Sequence, residues 1–362
     1  MTPRNLPRGG IGGAGLLTLA LVGLAVAGAG LSIAGRLPAA AWHAVFVLLA
    51  GLVVGSLGLL MIGHLMSEEW LAPVRSEAEA AALTAPLVVV LAVPLVPALG
   101  DIFPWAAGAA SELPRPRAAF LTTPFFLARS AFYLAVWSAL ALWIARSESP
   151  RRASAVGLAL LAPTAAFAGN DWVLSRDPVW WSSLFGFAFS VAQLLAALAG
   201  GILVSLLRPE HPTPERMKSL ERALLTLALL TLWIWLVQFI VVWLGNLPDE
   251  AAWYLTRWAD RSWLLAGIAL PALLAAVAIL APPGFGRRTM IIGSGLLLVQ
   301  HVAHLLWLVD TDVDLPSVVV VSGVFVAWGA LFAALLQRRP TFEAELGKPP
   351  RAATRLGQDR FE

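Results

Sequence analysis

The sequence has no cysteine, and only 13% of its 362 residues are charged, about half the share usual in a soluble globular chain. Without thiols the chain cannot form a disulfide, ligate an iron-sulfur cluster through thiolates or attach a haem through Cys-x-x-Cys-His. Any electron-transfer role therefore needs redox centres on partner chains. The shortage of charge excludes a soluble enzyme. The net charge is +3 and the basic residues are scattered through short segments, so no nucleic-acid surface is legible. What the chain has in quantity is apolar: 59% hydrophobic residues, with 16 Trp against 2 Tyr. This is the composition of an all-α, polytopic membrane protein.

A span needs about 20 mostly apolar residues to cross a hydrocarbon core of about 30 Å. Ten stretches qualify: Gly13 to Ala34, Trp42 to Met66, Ala81 to Leu99, Phe120 to Ala145, Ala153 to Leu174, Ser183 to Leu207, Ala223 to Leu244, Trp263 to Leu280, Met290 to Val309 and Val318 to Leu336. The first follows Arg4 and Arg8 as a signal peptide would, but its apolar run exceeds the usual h-region of about 7 to 15 residues, so it is read as a span.

Lys and Arg concentrate in cytoplasmic segments. With a cytoplasmic N-terminus, 18 of them fall inside and 6 outside (Arg36, Arg115, Arg117, Arg176, Arg257 and Arg261), with Arg129 left within a span. Both termini are therefore expected on the cytoplasmic side. Residues 1–12 form the N-terminus, 13–207 a first half of six spans, 208–222 a cytoplasmic linker, 223–336 a second half of four spans and 337–362 a polar tail. The linker is placed by Pro209, Pro212 and Pro214 set among charges, which cannot continue a helix.

Ionisable groups in a span are expensive, so they mark a pathway or a paired site. Here they are His64, Arg129, Asp171, His301 and His304, joined by the uncharged polar residues Asn170, Gln193 and Gln238. Arg129 lies roughly 14 Å into its span at about 1.5 Å per residue, too deep to reach the interface easily. It needs an acceptor, with Asp171 first and Asp101 and Asp310 behind it. Such a pair either fixes helix register or orients a polar headgroup. His301 and His304 share one helix face. They read as packed histidines, as a quinol site in which neutral imidazole accepts a proton, or as haem ligands. The haem reading requires a histidine at matching depth on a facing helix, and His43 and His64 stand at opposite ends of their span. Only His64 lies at the inner end. Arg129, Asp171, Gln238, His301 and His304 are expected to converge on one outward-opening pocket, because separate burial would cost each of them its own desolvation. Trp172, Trp180, Trp181, Trp253, Trp258 and Trp263 gather around the outer loops as an interfacial belt or as the wall of a ring-binding site.

Several runs resemble the polysulfide-reductase-like (NrfD-type) membrane proteins, and among them the second quinone-binding membrane subunit of alternative complex III. The run Asp171-Trp172, Pro178, Trp181-Ser182 and Phe185-Gly186 is similar to that family's pattern, and so is Gln238 to Trp243 continuing into Gly245-Asn246-Leu247-Pro248-Asp249-Glu250 and Trp253-Tyr254. Further likenesses are Pro124-Phe125-Phe126 with Arg129 and Tyr133, Phe103-Pro104-Trp105-Ala106, His64-Leu65 with Trp70 and Arg75, and His301 to Trp307. The chain departs from the pattern at Met66-Ser67-Glu68, where Thr-Gly-Gly is usual, at Thr122, where Asn is usual, and at His304, where Asp is usual. The last change replaces a carboxylate with an imidazole.

The resemblance implies two four-helix bundles flanked by the first and last spans, in a quinol:cytochrome c oxidoreductase. This chain would bind no covalent cofactor. It would contribute a quinol-binding or proton-conducting site beside iron-sulfur and haem c subunits and a second NrfD-like membrane subunit. A proton or ion conductor and a ligand-free scaffold are the alternatives.

Overall fold

In lipid a spanning backbone must satisfy its own hydrogen bonds, which leaves a chain of this composition the α-helix. A computed structural model describes residues 12–35, 37–66, 70–108, 113–147, 149–208, 214–282, 286–309 and 314–339. Among them all regular structure is helical, and ten segments are long and apolar enough to cross a membrane. The helices are α1 (Gly13–Ala34), α2 (Ala39–Met66), α3 (Arg75–Ala82), α4 (Ala85–Ala92), α5 (Leu99–Ile102), α6 (Arg115–Phe120) and α7 (Thr123–Arg146). They continue with α8 (Pro150–Trp172), α9 (Phe185–Leu207), α10 (Pro214–Gly245), α11 (Pro248–Ser262), α12 (Leu270–Leu280), α13 (Arg287–Val309) and α14 (Leu315–Gln337). Proline opens α6, α7, α8, α11, α12 and α14, where its missing N–H costs nothing. Gly35 closes α1 in the left-handed conformation, φ 65°. The end at which α1 begins and α14 ends is called proximal here, and the other distal.

The third span differs most from its expected bounds. It starts at Ala72, nine residues before the expected Ala81, and is broken at Leu83 and Thr84 between α3 and α4. The hydropathy pattern misses its start because Glu77 and Glu79 lie inside it. Glu77 is buried and accepts from Arg208 at 2.8 Å, while Glu79 binds Arg75 at 3.0 Å and Arg339 at 2.8 Å. This cluster ties the proximal ends of α9 and α14 to α3.

One bundle is built from α2, the α3–α4 span, α7 and α8, and a second from α9, α10, α12 and α13. They meet through α9, which packs along α2 and α8 as well as α10 and α13. Helix α9 thus belongs to the packing of both bundles, and the proline-rich boundary expected at 208–222 follows it. Residues 209–213 of that linker lie outside the described residues, and from Pro214 onward the chain is already α10. The tail 340–362 and Asp310 also lie outside them. Close approach at Gly51 and Gly55 seats Gln193 of α9 directly on α2. The first and last spans form a separate pair against the side of α2 and α3. There a Cβ on Gly23 would stand 2.6 Å from the Gly323 carbonyl oxygen, so both glycines are required by contact.

Candidate functional site

The polar residues expected to share one pocket are divided between the two bundles. In the first, Arg129 of α7 forms a two-pronged pair with Asp171 of α8: Nε donates to Oδ2 and an Nη to Oδ1, each at 2.8 Å. The geometry fixes both planes and is the strong form of this contact. Tyr133, one turn along α7, donates its hydroxyl to Asp171 Oδ2 at 2.9 Å. The other Nη of Arg129 donates to the Phe120 carbonyl at 3.1 Å, and the guanidinium carbon lies 3.8 Å and 4.3 Å from the Phe120 and Phe125 ring centres. Asp171 is 1% exposed and carries three donors, which leaves little capacity for a ligand. Of the two readings of this pair, helix registration fits it. Asp101 is exposed at its own helix and takes no part.

Along α8 two more buried polar contacts face the same bundle. Thr164 accepts from Trp137 Nε1 at 3.0 Å, and Ser154 meets His64 Nδ1 at 2.8 Å near the proximal end. Between them Gly157 closes on the Met61 side chain, and this dry contact interrupts the polar stripe. His43, at the distal end of α2, packs edge-on to Phe103 and lies 3.5 Å from an Arg176 nitrogen.

The second bundle holds a cavity of about 560 Å³ between α9, α10, α11 and α13. Gln238, His301 and His304 line it, as does Gln193, while Arg129 and Asp171 do not. His301 is 4% exposed, and its Nε2 has no hydrogen-bond partner among the described residues. The same holds for Nε1 of Trp307. His304 lies between two indoles, its ring centre 4.2 Å from that of Trp235 and 5.8 Å from that of Trp307. Gln238 and Tyr254 both line the cavity. The Gln193 amide nitrogen donates to the Phe189 carbonyl at 3.2 Å. The cavity is thus lined mainly by aromatic and aliphatic side chains, with Gln193, Gln238, Tyr254 and the two histidines as its polar groups.

Its mouth is lateral. Leu236 and Phe239 of α10 and Leu255 and Trp258 of α11 line the cavity and are exposed, so it opens through the side of the helix bundle, where a bilayer would lie. Among the described residues no histidine of a facing helix lines the cavity. The outer tryptophans divide by role. Trp181, Trp258 and Trp263 are exposed as an interfacial belt would be, whereas Trp172, Trp180 and Trp253 are buried. Trp172 donates to Ser130 at 2.9 Å, and Trp180 stacks on Trp253 at 4.1 Å. Sequence reasoning gave no role to Trp235, an apolar-looking residue midway along a Leu-rich helix.

No family model matches the chain, and no curated protein matches it.

Proposed function

We propose that this chain is an integral membrane subunit of a quinol-oxidising respiratory complex of the alternative complex III type, and that the cavity between α9, α10, α11 and α13 receives the quinol ring. The observation that carries the reading is the buried Nε2 of His301, which has no hydrogen-bond partner among the described residues, in an aromatic-lined cavity whose rim at Leu236, Phe239, Leu255 and Trp258 is apolar and exposed. A quinol dissolves in the bilayer, presents a flat ring and releases protons on oxidation. A neutral imidazole supplies the acceptor for one of those protons. The lining suits such a ring: Phe189, Phe239 and Tyr254 supply aromatic surface and His301 a polar atom, while the exposed apolar mouth accommodates a prenyl tail. The electrons pass to iron-sulfur and haem c subunits, since this cysteine-free chain has no thiolate ligands of its own. A second NrfD-like membrane subunit completes the assembly. In this proposal the complex sits in a bacterial inner membrane with both termini of this chain cytoplasmic.

A proton conductor is the second reading, favoured by the polar stripe on α8 from Ser154 through Thr164 to Asp171. The dry contact of Gly157 with Met61 weighs against it. Photolabelling with an azidoquinone distinguishes the two. The quinol reading expects adducts on peptides from α9, α10 and α13, suppressed by excess unlabelled quinol. Labelling confined to the first bundle, or none that quinol suppresses, contradicts it.

A further inference from the structure

The wall of the cavity formed by α11 is built differently from the others. The helix is amphipathic: Trp253, Tyr254, Leu255 and Trp258 line the cavity, while Asp249, Thr256 and Asp260 are exposed or partly so on its other side. It is also loosely attached. Its ties to the preceding distal segment include the Trp180–Trp253 stack at 4.1 Å, an edge-on Trp180–Tyr254 contact at 6.3 Å and an Arg257–Asp177 ion pair at 3.6 Å, with Asp177 about a third exposed. Partly exposed pairs of this kind hold weakly, typically by under about 1 kcal/mol. At its far end the helix does not run on smoothly. Arg261 has non-helical angles, φ −138° and ψ 23°, and residues Trp263–Ala269 form a π-helical turn before α12 begins. Wide turns and element-terminal residues with irregular angles are where helices bend and hinges sit.

We propose that α11 is a hinged gate, bending at Arg261 and the π-helical turn, and that it controls lateral passage of a bilayer-borne ligand through the mouth at Leu255 and Trp258. The hinge motion stands on these contacts alone, and only the nature of the ligand rests on the quinol reading. When the Trp180–Trp253 stack and the Arg257–Asp177 pair release, α11 swings away from the segment that precedes α9 and the mouth widens.

Because the chain lacks cysteine, two introduced thiols are labelled uniquely. Nitroxides at Ala252→Cys on α11 and Ser183→Cys beside α9, both exposed, report the gap by pulsed dipolar EPR on the full chain in lipid nanodiscs. The gate expects two distance populations, and Asp177→Asn, which removes half of the ion pair, should at least double the longer one. Arg257→Lys, which keeps the charge, should leave the ratio near that of the parent. Adding a decyl-tailed benzoquinol should shift the populations. If Asp177→Asn changes the distribution and the quinol does not, the gate stands and the quinol reading fails. A single narrow distance, the same in parent and Asp177→Asn, overturns the gate.

Discussion

Arg129 shows how much a single intramembrane charge reveals. Its depth demanded an acceptor, the helical arithmetic placed Asp171 opposite, and the structure joins them by two bonds of 2.8 Å. Removing one partner strands a buried charge, at a cost of about 3–5 kcal/mol. Arg129→Leu should therefore lower the thermal stability of the purified chain sharply. The double variant Arg129→Met with Asp171→Leu should regain part of that loss, because it leaves no buried charge and strands only the Tyr133 hydroxyl; equal stability in the single and double variants would show that the ion pair is not the cause. Tyr133 was visible only as part of a motif, since a hydroxyl one turn from an arginine has no spacing signature of its own. Glu77 and Glu79 were hidden for a related reason. Their charges lowered the local hydropathy and made a buried helix start look like a loop, although Arg208 and Arg339 neutralise them across long sequence separations.

At the scale of elements, apolar length alone located all ten spans, but it did not show how they group. The separate pairing of α1 with α14 depends on Gly23, Gly30 and Gly323, whose meaning emerges only when the two chain ends are brought side by side. Gly323→Leu should force these helices apart while leaving the two bundles packed. Limited proteolysis should then release α1 faster than in the parent, with bundle helices still protected; an unchanged cleavage pattern would mean the contact is dispensable. The division of polar residues between bundles was likewise invisible to depth reasoning. Helical rise gives position along the membrane normal but not the direction in which each side chain points across the bundle. For the same reason Asp171 and His301, both near the distal side, were grouped although α9 comes between their helices.

For the whole molecule, charge asymmetry sets the expected orientation. Reporter fusions in the loop between α9 and α10 and after Gln337 should read as cytoplasmic, and one at Asp249 as external. An external signal after Gln337 would reverse the proposed placement of the cavity mouth relative to the two membrane faces. The proposal that joins the levels is that the second bundle takes a quinol ring from the lipid and holds it at His301. Its most direct measurement is the titration of intrinsic tryptophan fluorescence with a decyl-tailed benzoquinol, using full-length protein and its His301→Leu variant in nanodiscs of the same lipid. Trp235 and Trp307 both line the cavity, so bound ring quenches them. The account expects saturable quenching in the parent and about tenfold weaker binding in His301→Leu, the loss of roughly one hydrogen bond, with melting temperatures that remain close. Equal affinity in the two proteins, or quenching that only follows partitioning into lipid, would contradict it.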